Sequence, residues 1–150
     1  MSSSENLDTG YAGDGIYREN IMDHFKNPRN FGTVENPDIR HREYNPLCGD
    51  EIEIFIKLSS DRASEVRFRG RGCAISKSAA SMLTEALQGK TLDEIKKITG
   101  KDILDMLAIP VGPVRMKCAM LSLDTLRNGI FIFEKYGKEG APACRLESIG

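Results

Sequence analysis

Positive charge in excess is the first thing this sequence lacks. Its 21 Lys and Arg face 22 Asp and Glu, a formal net charge of −1. A fold that works on a nucleic-acid backbone needs surplus cations, so nucleic acid is excluded as the partner. No apolar run approaches the roughly eighteen residues of a membrane span. The polar start, Met1 to Gly10, also lacks the apolar core of a signal peptide. Cysteines are few, four in 150 residues, and none forms the Cys-x-x-Cys pair of a zinc ribbon or redox dithiol. A chain of this length buries roughly two-thirds of its unfolded surface unaided, so disulfides are not required. These absences point to a reducing, cytoplasmic setting, where cysteines serve as metal ligands or reactive thiols rather than cross-links.

What is present is an ordinary globular pattern, 40% hydrophobic and 29% charged. Residues 1–15 are polar and predict a loosely docked leader, followed by a single domain over 16–137 and a tail over 138–150. Ile16, Tyr17, Ile21, Met22 and Phe25 recur at a helical period until Asn27-Pro28 stops it. Ile52, Ile54, Ile56 and Leu58 alternate with Glu51, Glu53, Phe55 and Lys57, which predicts a strand. Val66 and Phe68 alternate with Arg67 and Arg69 after a turn at Ser59 to Arg62, which predicts a hairpin. A further strand is expected around His41 to Tyr44. Helices follow: Ala74 to Leu87, a short one opened by the capping pair Thr91 and Glu94 and ended by Gly100, another over Lys101 to Leu107, and a long one from Cys118 to about Tyr136. The expected fold is α+β, one layer pair in which a small three-stranded antiparallel sheet packs against several helices.

Three cysteines stand at predicted junctions: Cys48 in a turn before the first clear strand, Cys73 between a strand and the Ala-rich helix, and Cys118 at the expected start of the last helix. A helix N-terminus offers free N–H groups and a positive dipole, which favour a thiolate at Cys73 and Cys118. Gly49 and Gly72 have no side chain to keep other groups from the sulfurs. Asp50 lies two residues beyond Cys48 and can face the same centre. Three thiolates and a carboxylate suit tetrahedral zinc, or an iron–sulfur cluster held less firmly than by four thiolates. Cys144 stands apart in the tail. His24, on the first helix, and His41, in a charged stretch, carry packing or solvent roles, while Lys117 and Arg71 neighbour the presumptive site.

Four segments together resemble the IscU/SufU/NifU-type iron–sulfur cluster assembly scaffolds. They are Tyr17 to Gly32, Asn45-Pro46-Leu47-Cys48-Gly49-Asp50, Gly70-Arg71-Gly72-Cys73-Ala74-Ile75-Ser76, and Val114-Arg115-Met116-Lys117-Cys118-Ala119-Met120-Leu121. The resemblance implies a scaffold on which a cluster, [2Fe–2S] or [4Fe–4S], is built and passed to recipient apo-proteins. It implies a pyridoxal-phosphate-dependent cysteine desulfurase as the sulfur source and a homodimer as a further association. Carried over by motif, Cys48, Asp50, Cys73 and Cys118 are the ligands, with Cys118 as persulfide acceptor. The chain departs from the IscU type, which has His where Lys117 stands, and from the SufU type, which has an insertion between the second and third cysteines. The IscU-type chaperone motif Leu-Pro-Pro-Val-Lys is here Val111-Gly112-Pro113-Val114-Arg115. The SufU-like features keep a second function open, a zinc-dependent sulfurtransferase using the same residues.

Overall fold

The computed structural model describes residues 19–137; the leader, Tyr17, the tail and Cys144 lie outside that range. Element order is α1 (Glu19–Lys26), β1 (Ile39–Asn45), β2 (Asp50–Ser59), β3 (Arg62–Arg71), α2 (Ala74–Leu87), α3 (Leu92–Lys96), α4 (Gly100–Leu107) and α5 (Pro113–Tyr136). The strands form one antiparallel sheet in the order β1-β2-β3. This is the α+β arrangement expected from the patterning. Ser60 and Asp61 join β2 to β3 with φ of 54° and 66°, the left-handed pair that a two-residue hairpin turn needs.

Strand alternation separates two faces. Ile52, Ile54 and Ile56 of β2 and Val66 and Phe68 of β3 are fully or almost fully buried on the inner face. Helices α2 and α5 cover that face and pack against each other, and α1 packs on α2. The Ser and Thr residues of α2 are buried yet useful. Ser78 donates to the carbonyl of Ile21 at 2.7 Å, and Ser81 Oγ accepts from the Arg29 amide at 2.8 Å, so α1 and its following loop are pinned to α2 by hydrogen bonds. His24 Nδ1 meets the same Ser81 hydroxyl at 2.7 Å, and burial pushes its pKa down. It is a packing residue, as expected.

Among the described residues, the outer face has no helical layer, and its centre is covered by its own arginines. Phe55 is buried because the Arg40 and Arg69 guanidinium groups lie over its ring, 5.3 and 5.5 Å from the centroid. Both also hold Glu53, Arg40 at 2.7 Å and Arg69 at 2.9 Å. Burial pushes the Glu53 carboxyl up, but these hydrogen bonds outweigh it and keep the group below the usual carboxylate range.

Two boundaries differ from the sequence expectation. Gly100 does not end a helix; Thr99 caps α4 in a capping box with Asp102, and Gly100 is the first residue of that helix. The long helix starts at Pro113 rather than Cys118, because Pro is well suited to the first helical position, where no N–H is needed.

Glu53 generates a test. A carboxylate held below its ordinary value stabilises the fold above about pH 4 and loses that contribution as pH falls through the folded-state value. Glu53→Ala, which leaves both arginines unpaired, is expected to cost about 1–2 kcal/mol at neutral pH, discounted for their partial exposure. In urea unfolding at pH 7 and pH 3, the difference between variant and parent should shrink at the lower pH.

Candidate metal centre

The site forms where one end of the sheet meets the starts of two helices. Asn45 and Asp50 are paired residues closing the β1–β2 hairpin, and Cys48 sits in the turn between them. The Asn45 carbonyl accepts the Cys48 and Gly49 amides at 3.3 and 2.8 Å, and Asn45 Oδ1 accepts the Leu47 amide at 3.1 Å. Gly49 has φ of +74°, a left-handed conformation that lets the chain turn directly from Cys48 into Asp50.

Asp50 is buried, 1% exposed, at the first position of β2. Its Oδ1 accepts the backbone N–H of Cys73 at 3.2 Å, and Cys73 Sγ lies 4.0 Å from Oδ2. Cys73 is the N-cap of α2, as expected from its position after Gly72. A Cβ on Gly72 would stand 2.7 Å from Asp50 Oδ1 and 2.4 Å from Ser76 Oγ, so only glycine leaves room for the carboxylate there.

Cys118 departs from the expectation. Because α5 begins at Pro113, Cys118 lies in its second turn instead of at the dipole end, and it is 3% exposed. Burial, then contact with Cys48 and with Asp50, pushes the Cys118 thiol far above its ordinary value. Cys118 is thus a buried residue within the helix and lacks the helix-start position on which the expected low-pKa thiolate rested.

Cys118 Sγ lies 3.3 Å from Cys48 Sγ, and both are free. These two sulfurs and an Asp50 carboxylate oxygen lie within 4.8 Å of one another. Ligands on a tetrahedral zinc are separated by about 3.3–3.8 Å, so small side-chain motions suffice to close this set on an ion. The half-buried Cys73 has its Sγ 4.0 Å from Asp50 Oδ2 and falls outside this group of three. Metal takes the place of a proton on each thiol, so the raised Cys118 value is compatible with loading.

The other candidates fall elsewhere. His41 bonds to Glu43, and His24 is committed to Ser81, so neither joins the sulfurs. Arg71 lies 3.7 Å from Glu51, a residue of the outer sheet face, with three-quarters of its side chain exposed. Lys117 is exposed and lines a cavity of about 280 Å³ with Asn45, Pro46 and Asp124, next to the Cys48 turn. Asn45 was not singled out from the sequence as a site residue. Its position directly before Pro46 in the cysteine turn was the available signal.

A thiol-and-carboxylate centre on the loop end of a small α+β domain defines a class of proteins that handle a metal or a metal–sulfur group. This chain belongs to the NifU-like N terminal domain family, which matches residues 16–140. It is 37% identical to the zinc-dependent sulfurtransferase SufU of Bacillus subtilis, over 87% of this chain and 95% of that protein. It is 38% identical to the iron–sulfur cluster assembly scaffold protein IscU 1 of Archaeoglobus fulgidus, over 82% of this chain and 80% of that one. A solved structure described as a putative iron–sulfur cluster assembly scaffold protein for the SUF system, from Fervidobacterium islandicum, superimposes with a TM-score of 0.66 at 28% identity, covering 77% of this chain and 96% of the other.

Exposure sets an order of reactivity. In the metal-free protein, iodoacetamide followed by mass spectrometry should label exposed Cys48 first, Cys73 next and buried Cys118 last. Saturating zinc should protect all three together. Selective protection of only one would show that they do not share an ion.

Proposed function

We propose that this chain is a scaffold on which iron–sulfur clusters are assembled from iron and persulfide sulfur and then passed to apo-proteins. The observation that carries this reading is the mixed donor set, with Cys48 and Cys118 at 3.3 Å and the Asp50 carboxylate beside them. The cluster is cargo and must leave. A carboxylate is a harder and more exchangeable ligand to iron than a thiolate, so Asp50 keeps the fourth position labile. The cargo on three thiolates and one carboxylate is [2Fe–2S], with [4Fe–4S] as the larger form. The partners are a pyridoxal-phosphate-dependent cysteine desulfurase, recipient apo-proteins and a second copy of the chain, in the cytoplasm. Among the described residues, no helix is long and apolar enough to cross a membrane.

Sulfur reaches the site in two steps. Cys48 is exposed and Leu47 beside it is 77% exposed, so an incoming persulfide meets Cys48 before the buried Cys118. The Cys48 thiolate takes the outer sulfur, and the donor cysteine leaves as its thiolate. Cys118 Sγ, 3.3 Å away, then attacks that outer sulfur. The bond to Cys48 breaks, and the Cys118 proton ends on Cys48. Cys118 thus remains the acceptor that holds sulfur, with Cys48 as its entry point.

A second reading is supported by the SufU relative and by Lys117 in the position next to Cys118: zinc, held by Cys48, Asp50, Cys73 and Cys118, in a sulfurtransferase that hands persulfide onward. The two separate under anaerobic reconstitution of zinc-free protein with ferrous iron, cysteine and a desulfurase. The scaffold reading expects a visible cluster chromophore with matching iron and sulfide. Bound zinc with no cluster, even after zinc removal, would establish the sulfurtransferase instead.

Two variant series accompany this experiment. Asp50→Ala is expected to hold its cluster longer against an apo-protein acceptor than the parent, and Cys144→Ser to assemble normally. In persulfide trapping without metal, Cys118→Ser should still carry sulfur on Cys48, whereas Cys48→Ser should leave Cys118 unloaded. Loading of Cys118 at the parental rate in Cys48→Ser would remove the entry role.

A further inference from the structure

Among the described residues, two buried side-chain polar atoms have no hydrogen-bond partner: the Asn45 amide nitrogen and the Ser122 hydroxyl. Such orphans are rare in folded proteins and call for a cause. Asn45 lies three residues before Cys48, and Ser122 four residues after Cys118. Asn45 is the cross-strand partner of Asp50, so both side chains leave the same face of the sheet. Asn45 is only 7% exposed, and all of its acceptors are committed to the loop that carries Cys48. What remains is an N–H donor, Nδ2. Ser122 follows Cys118 by four residues, about one turn, on the same face of α5, and is fully buried. One orphan therefore comes from the hairpin and one from the helix, on the two elements that bring Cys48 and Cys118 together.

A buried donor without an acceptor is explained if the acceptor is created by loading. A neutral thiol is a weak acceptor, whereas a metal-bound thiolate carries charge and accepts well. We infer that Asn45 is a positioning residue whose Nδ2–H donates to a thiolate sulfur of the loaded centre, with the Ser122 hydroxyl as a second donor. This rests on the reading of Cys48, Asp50, Cys73 and Cys118 as ligands. Donation to sulfur orients it and lowers its electron donation to the metal, as outer hydrogen bonds do in metal sites generally. It also makes the free protein pay a desolvation cost that loading removes, so binding is favoured. The competing partner for Nδ2 is a water in the cavity of about 280 Å³ that Asn45 lines with Glu43, Lys117 and Asp124.

Cobalt(II) is the probe, because its thiolate charge-transfer bands report sulfur donation directly. Asn45→Ser keeps a side-chain oxygen for the turn but replaces the amide donor by a hydroxyl one bond shorter, which does not reach the position of Nδ2. Its charge-transfer band should move to longer wavelength and its cobalt affinity should fall roughly tenfold, the loss of about one charge-assisted hydrogen bond. Ser122→Ala should move the band in the same direction. An unchanged band and affinity in Asn45→Ser, with parental thermal unfolding, overturns the role of Asn45; the same result in Ser122→Ala overturns that of Ser122. Should Asn45→Ser fail to fold, the parent decides. On zinc addition, the Asn45 side-chain amide protons should shift in ¹⁵N-edited NMR and become protected from exchange. Signals that stay in place assign Nδ2 to water and overturn the inference. If the parent gives no thiolate-to-cobalt band, the ligand reading itself fails and this inference with it.

Discussion

A carboxylate buried at the first residue of a strand is the constraint on which the rest of this site depends. Asp50 is out of water, yet its oxygens reach the Cys73 amide, the Cys73 sulfur and the neighbourhood of Cys48 and Cys118. One side chain thereby ties the β1–β2 hairpin to the N-terminus of α2 and faces the second turn of α5. The helix end suits an anion, since its free amides and dipole favour negative charge. Gly72 is the steric condition for that contact, because any larger residue would occupy the space of the carboxylate.

The remainder of the fold packs around this meeting point. The inner face of the sheet is sealed by α2 and α5, and the buried hydroxyls of α2 lock α1 and its loop in place. On the outer face, the Arg40–Glu53–Arg69 arrangement over Phe55 substitutes for a covering layer. The Cys48 turn, with Leu47 beside it, is exposed to solvent. The site thereby combines a buried thiol, Cys118, with an exposed one, Cys48, at its edge.

Much of this was legible in the chain. Period-two alternation in Ile52 to Leu58 and Val66 to Arg69 gave the hairpin, and the Thr91–Glu94 pair gave a helix start, because both signals are local. The start of α5 lies five residues ahead of the expected Cys118, because Pro113 occupies the first helical turn. That shift moved Cys118 from an exposed helix end to a buried second turn and reversed the expected direction of its thiol pKa.

By itself, then, the sequence determined the element order and singled out Cys48, Asp50, Cys73 and Cys118, through pattern and motif. Tertiary structure decided what each member can do. Burial separates the exposed thiol of Cys48 from the buried thiol of Cys118, and register brings Asn45 opposite Asp50. Neither is encoded locally, because desolvation and cross-strand proximity exist only once distant segments have packed together.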